Sequence, residues 1–210
     1  VRPIDAIQTR IDTSGISTSS GDYQIDALEQ RVQRYLVAAA DETIKLASDR
    51  QKWLAFCPTV ATAEELVGLF ATRGIATVLV TGETPKKDRA RHVADFRASQ
   101  IRCLVTVLAL ATGFDVPDVD CLIWLRPTIS PVLFVQGSGR GLRIAPGKTN
   151  ALWIDFSDTT QRLGPIDQIK GRKKGKGPAD PQAPFAICDN CGSQVRPASA
   201  LECPECGAVL

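Results

Sequence analysis

From Trp53 to Phe156 the chain repeats one pattern, and that pattern limits its fold more than any other feature. Short apolar runs alternate with amphipathic stretches of helical period. The runs WLAFC (53–57), ATVLV (76–80), IRCLVTV (101–107), VDCLIWL (119–125) and NALWIDF (150–156) have the length of strands. ATAEELVGLFATRG predicts a helix with Thr62 and Glu65 as a capping box and Gly74 as its stop. TPKKDRARHVADFRAS predicts a second helix, with Thr84 as N-cap and Pro85 at its first position. SPVLFVQGSGRGL predicts a third, begun by Ser130 and Pro131. Apolar strands alternating with helices imply an α/β fold: a parallel sheet covered by helices on both faces and joined by right-handed crossovers.

Outside that region the pattern changes. Residues 1–26 read as an irregular entry segment with one strand, and 27–49 as a single long helix that opens the lobe at 27–165. Residues 166–184 form a basic, Gly/Pro-rich linker in which Lys170, Arg172, Lys173, Lys174 and Lys176 crowd together. Residues 185–210 read as a separate small module. A hydrophobic content of 44% is enough for a sizeable core. No apolar run approaches the roughly 18 residues a membrane helix needs, so no membrane partner is expected, and the opening residues do not read as a secretory signal segment. The net charge of +2 does not name a partner. Met is absent, including at position 1, and the chain reads as a piece of a longer protein with further motifs upstream.

Three of the seven cysteines, Cys57, Cys103 and Cys121, lie inside apolar runs and read as small buried hydrophobes. The other four are spaced as Cys188-x-x-Cys191 and Cys203-x-x-Cys206, and Gly192 and Gly207 follow the two pairs. That arrangement predicts two knuckles that offer four thiolates to one tetrahedral ion, a closed structural Zn²⁺ site. Iron is the second choice of metal. So small a module needs the metal to fold. Its uses could be to grip DNA, to dock a partner such as a single-strand-binding protein, or to close the fold.

The stretch VQGSGRGLRIAPGKTNAL (135–152) carries two phosphate signals that disagree. Gly147-Lys148-Thr149 looks like the end of a phosphate-binding loop. In that loop the first glycine would stand at 142, which is Leu142, and a strand rather than a helix follows, so Pro146-Gly147 reads as a tight turn. The front half reads Gln136-x-x-Gly139-Arg140-x-x-Arg143, and two arginines three apart lie on one helical face. Guanidinium groups supplied across a cleft stabilise the charge that develops on a transferring γ-phosphoryl group. A solvated basic turn is the plainer alternative.

Four segments together carry a resemblance. LVTVLALATGFDVPDVD resembles motif V of superfamily 2 helicases, and QGSGRGLR resembles motif VI. WLAFCPTVATAEEL looks like motif IV, and TGETPKKDRARHVADF keeps the spacing of the segment between them. Over residues 50–156 the chain resembles the second RecA-like lobe of such a helicase. With the four-cysteine ribbon it is most similar to the bacterial and phage DEAD/DEAH-box subgroup that includes RadD.

The resemblance implies ATP with Mg²⁺ bound between two lobes, the phosphate-binding loop and the Asp-Glu-x-His motif being on the first. Neither occurs here, since Asp41-Glu42 continues into Thr-Ile. On this lobe it implies Arg143 as arginine finger, Arg140 as a second γ-phosphate contact and Gln136 as a bridge to the first lobe. It implies Gly113 where the backbone nears the nucleotide, Asp115 accepting from the ribose or orienting the arginines, and Thr112 assisting. Thr59, Thr81, Gly82 and Thr106 would touch nucleic-acid phosphates along the opposite edge, which positions a strand without reading bases. Six residues separate Thr106 from Gly113, one more than in the simplest motif V, and the role of Thr106 is the least fixed of these. Arg89 reads equally well as a structural ion-pair partner, and His92 as a solvated helix residue.

The implied function is the motor lobe of an ATP-dependent DNA helicase or translocase, inactive alone, in the cytoplasm of a bacterial cell or phage-infected host. RNA is the alternative strand. The alternatives in function are a non-catalytic nucleic-acid-binding module and the motor of a restriction system.

Overall fold

The computed structural model describes residues 2–3, 7–19, 21–107, 114–169, 186–187, 194–195, 202–203 and 206–209. Its centre is a parallel sheet. In chain order the strands and helices are β1 (Arg2–Pro3), β2 (Thr18–Ser19), β3 (Asp22–Tyr23), α1 (Ile25–Gln33), α2 (Leu36–Leu46), β4 (Trp53–Phe56), α3 (Val60–Thr72) and β5 (Thr77–Val80). They continue with α4 (Lys86–Arg97), β6 (Cys103–Thr106), β7 (Cys121–Trp124), α5 (Pro131–Ser138), β8 (Leu152–Asp155) and α6 (Thr159–Leu163). The six-stranded sheet has the order β1-β8-β7-β4-β6-β5. Every pairing in it is parallel.

Register explains how one sheet serves two cores. Trp53, Cys103 and Cys121 stand abreast, as do Leu54, Leu104 and Leu122 one step on. Successive side chains point to opposite faces. Trp53, Ala55, Cys103, Val105, Cys121 and Ile123 face α1, α2 and α3, where they meet Leu28, Val32, Leu36, Leu66 and Phe70. Leu54, Phe56, Leu104, Leu122, Trp124 and Trp153 face α4 and α5, where they meet Val93, Phe96 and Phe134. Cys57, Cys103 and Cys121 are fully buried, and burial pushes all three thiols well above the ordinary range. They are packing residues, as the sequence implies.

Several local expectations need correction. The long helix at 27–49 is two helices, α1 and α2, broken at Arg34–Tyr35. Leu28, Val32 and Leu36 keep their spacing of four across the break, so the apolar period does not reveal it. Helix α3 starts earlier than Thr62. Its N-cap is Thr59, whose hydroxyl accepts from Thr62 N at 3.2 Å while Thr59 N donates to Thr62 Oγ1 at 3.2 Å. Thr62 thus takes the N3 role that Glu or Gln commonly fills, and Glu65 stays exposed. Gly74 does end the helix, with φ +74. Thr84 does not cap α4: its hydroxyl accepts from Thr81 N at 2.9 Å, and Pro85 occupies the cap position. Ser130 and Pro131 begin α5 as expected.

The entry segment holds three short strands rather than one. β1 joins the sheet edge beside β8, and β2 pairs antiparallel with β3. Asp22 fixes that hairpin, accepting from Thr128 Oγ1 at 2.9 Å and Ile129 N at 3.0 Å and pairing with buried Arg126 at 3.3 Å.

Two glycines let the α5 region lie close to the sheet. A Cβ built on Gly137 would overlap the Trp124 ring, and one on Gly141 would overlap the Leu122 side chain. Trp124 has little room to yield, because Phe56, Phe134 and Trp153 surround it at ring distances of 4.8, 5.7 and 5.5 Å. Gly137→Ala is therefore expected to lower stability by about 1–3 kcal/mol through overpacking, despite alanine's better helix propensity. Denaturant midpoints check this, and an unchanged or raised midpoint would contradict the close approach.

Candidate functional site

The site grows from the end of α5. Ser130 Oγ accepts from Leu133 N, Pro131 presets the first turn, and the helix runs only to Ser138. Gln136 is on it and exposed. Arg140 and Arg143 are not: Arg140 follows in a turn after the C-cap Gly139 and Arg143 in irregular chain beyond it, which corrects the shared helical face implied by their spacing.

These arginines meet the second half of the segment that resembles motif V. Arg140 Nη1 donates to Phe114 O at 3.0 Å, and Arg143 Nη1 pairs with Asp115 Oδ1. Arg97, from the end of α4, forks onto the backbone carbonyl of Asp115 with Nε at 3.1 Å and Nη2 at 2.6 Å. Phe114 is buried against Phe96, with ring centroids 6.2 Å apart, and Val116 is buried too. Asp115 is thus an exposed carboxylate on an anchored backbone. Burial pushes the Arg140 guanidinium below its ordinary range, and the charge of Arg143 adds to that. Two cations held side by side favour a polyanion between them. Thr112 and Gly113 lie outside the described residues.

Thr59, Thr81 and Gly82 follow the C-terminal ends of β4 and β5, which flank β6. Phe114, Asp115 and Pro117 instead precede the start of β7, toward the other end of the sheet. Thr59 caps α3, and Thr81 Oγ1 accepts from Glu83 N at 3.2 Å. Gly82 is exposed, and a Cβ built there meets nothing within 4 Å. Arg89 takes no acidic partner among the described residues. Its Nη2 donates to Thr81 O at 2.9 Å and Gly82 O at 3.1 Å, holding that loop on α4. Thr106 ends β6. It sits level with Phe56 on the face under α4 and α5, it is fully buried, and its hydroxyl has no hydrogen-bond partner among the described residues.

A family profile, the helicase conserved C-terminal domain, matches residues 35–145, more than half of the chain. The chain belongs to that family. The matched span includes α2 through α5 and the whole arginine cluster. A protein of Schizosaccharomyces pombe named as a mitochondrial ATP-dependent helicase, irc3, is 38% identical over 117 residues, which cover 56% of this chain and 19% of that protein. The 51.5 kDa protein of a Lactococcus phage is 32% identical over 145 residues, 69% of this chain and 32% of its own length. The helicase domain described here therefore spans a third or less of these relatives. Among solved structures, the E. coli DEAD-box protein SrmB, bound to regulator of ribonuclease activity A, superposes with a TM-score of 0.55. It is 17% identical, over 69% of this chain and 92% of that one, a likeness of fold alone.

The helicase domain is followed by pieces of the cysteine module. Ala186–Ile187 (β9) pairs antiparallel with Gln194–Val195 (β10), and Glu202 bridges to Val209. Each pairing brackets one Cys-x-x-Cys. Cys188 and Cys191 lie outside the described residues. Of the second pair, Cys203 is buried and Cys206 exposed. Gly207 takes φ +72, its N–H donates to Cys203 O at 2.8 Å, and Cys203 N donates to Ala208 O at 2.8 Å. No group of three or more metal-ligating side chains occurs among the described residues.

Sequence reasoning missed Arg97. Only its place at the end of α4 hints at a role, because its target is a backbone carbonyl 18 residues away.

Proposed function

We propose that this domain is the second motor lobe of an ATP-dependent DNA helicase or translocase, of the RadD-like bacterial and phage subgroup. The observation that carries the reading is the Asp115–Arg143 pair beside Arg140, mounted away from the edge that bears Thr59, Thr81 and Gly82. ATP with Mg²⁺ would lie in a cleft against a first lobe of the same protein. The arginines fit the phosphate end of that nucleotide. Arg143 is the finger, Arg140 the second phosphate contact, and Asp115 orients Arg143. Gln136 bridges the lobes, and Thr112 and Gly113 line the nucleotide side. Exposed Val132, Val135, Leu142 and Ile144 surround these polar groups and support a covered face. The cytoplasm of a bacterial cell or phage-infected host is the proposed setting, in keeping with the phage relative.

For the module, a Zn²⁺ ion on Cys188, Cys191, Cys203 and Cys206 agrees with the two bracketing pairings and with the tight turn at Gly207. Docking of a single-strand-binding protein is one use for it. A second functional reading, the motor of a restriction system, is favoured by 31% identity over 134 residues to the type I restriction enzyme EcoKI endonuclease subunit of E. coli. RNA as the strand is kept open by the rice DEAD-box ATP-dependent RNA helicase 53, 30% identical over 130 residues.

The grip is tested at Gly82, where a side chain meets open space and the fold is undisturbed. Gly82→Glu places a carboxylate beside the proposed phosphate path. It is expected to weaken single-strand binding by the full-length protein roughly threefold to tenfold, with a shallower salt dependence. Unchanged affinity and slope would remove this edge from the interface.

A further inference from the structure

Lys148 is the lysine that imitates a phosphate-binding loop, and the structure uses it differently. Gly147 takes φ +76 in the turn before β8. The ammonium that follows turns inward and donates to Gly141 O at 2.8 Å, Arg143 O at 2.9 Å and Pro117 O at 3.0 Å. An ammonium has three N–H donors, and all three are used. None remains for a phosphate.

The three carbonyls belong to two segments. Gly141 and Arg143 lie in the segment after α5 that carries the arginines, and Pro117 lies two residues after Asp115. One atom thus draws the backbone of Arg143 toward the backbone of its carboxylate partner. The same segment is held by Arg140 on Phe114 O and by Arg97 on Asp115 O. Lys148 touches both segments, and each of its three partners is a main-chain carbonyl. The Asp115–Arg143 pair itself is solvent-exposed, with side chains 74% and 38% accessible, and such pairs do little to fix two backbones.

We propose that Lys148 is a positioning residue for ATP hydrolysis, clamping the Arg143 segment to the Asp115–Pro117 segment so that the guanidinium is presented in one direction. The proposal rests on the reading of Arg143 as the arginine finger. A tetrahedral ammonium satisfies three converging carbonyls, whereas a planar guanidinium spreads its donors in a fork. Charge alone is therefore not enough.

The test is a double-mutant cycle in the full-length polypeptide, read as steady-state ATP hydrolysis with saturating single-stranded DNA. Lys148→Met is expected to lower kcat about tenfold or more, with KM for ATP changed less than about threefold, since misplacing a group by an ångström carries costs of that order. Lys148→Arg is expected to behave like Lys148→Met. In an Arg143→Ala background, Lys148→Met is expected to lower kcat no further, because it acts through a group already removed. Should Lys148→Met fail to fold, Lys148→Gln, which keeps two donors, takes its place in the cycle. Wild-type kcat in Lys148→Met, full rescue by Lys148→Arg, or an equal further loss on Arg143→Ala would overturn the clamp while leaving the finger standing. Wild-type turnover in Arg143→Ala itself would overturn the finger, and the clamp with it.

Discussion

Arg143→Ala in the full-length protein is expected to cut nucleic-acid-stimulated ATP hydrolysis roughly a thousandfold, with single-strand affinity unchanged. The size follows from what an arginine finger contributes to phosphoryl transfer, about 10³–10⁵ in rate. Its selectivity follows from the layout. Arg143 meets Asp115 ahead of β7, whereas Thr59, Thr81 and Gly82 follow the far ends of β4 and β5. The fold should be indifferent, since an exposed ion pair contributes at most about 1 kcal/mol. Turnover and DNA binding measured on the same preparation therefore separate two classes of function. Lost turnover with retained binding marks a motor. Retained turnover marks a nucleic-acid-binding module whose arginines do no chemistry.

Removing the proposed metal should have a large effect on a different part of the chain. The purified protein is expected to hold one Zn²⁺, and a strong chelator should unfold residues 185–210. Structural zinc contributes about 10–16 kcal/mol of apparent binding energy at neutral pH, which is folding energy for so small a module. The lobe should not respond, because both of its cores are built from residues between Ile7 and Ile169. Cys203→Ser should reproduce the result without chelator, since Cys203 is the buried member of its pair. Metal analysis together with amide dispersion of the tail checks this. A module that stays folded in chelator, or that carries no metal, would leave the four cysteines without their proposed role.

The sheet was legible in the sequence because its central strands are buried on both faces. WLAF and CLIW are unbroken apolar runs, CLVT and LWID are apolar up to their last residue, and a helical period separates them. What did not show has physical causes as well. β1, β2 and β3 are two residues each, too short for any alternation to register. The break between α1 and α2 leaves the apolar spacing intact. The cap of α3 is a threonine pair, where the expectation was Thr62 with Glu65.

At the proposed site, the sequence singles out Gln136, Arg140, Arg143 and Asp115 as candidates but not their geometry. The arginines stand beyond the end of the helix. Arg89, Arg97 and Lys148 all bind backbone carbonyls, partners that carry no side-chain signature in a sequence. Thr106 is fully buried, which its place in the sequence does not reveal.

The central claim is that this lobe completes a nucleotide site whose other half lies on a different lobe. ATP hydrolysis by the purified 210-residue chain, with and without single-stranded DNA, tests it most directly. The account predicts no hydrolysis above background in either condition. Robust DNA-stimulated hydrolysis by this chain alone would contradict it.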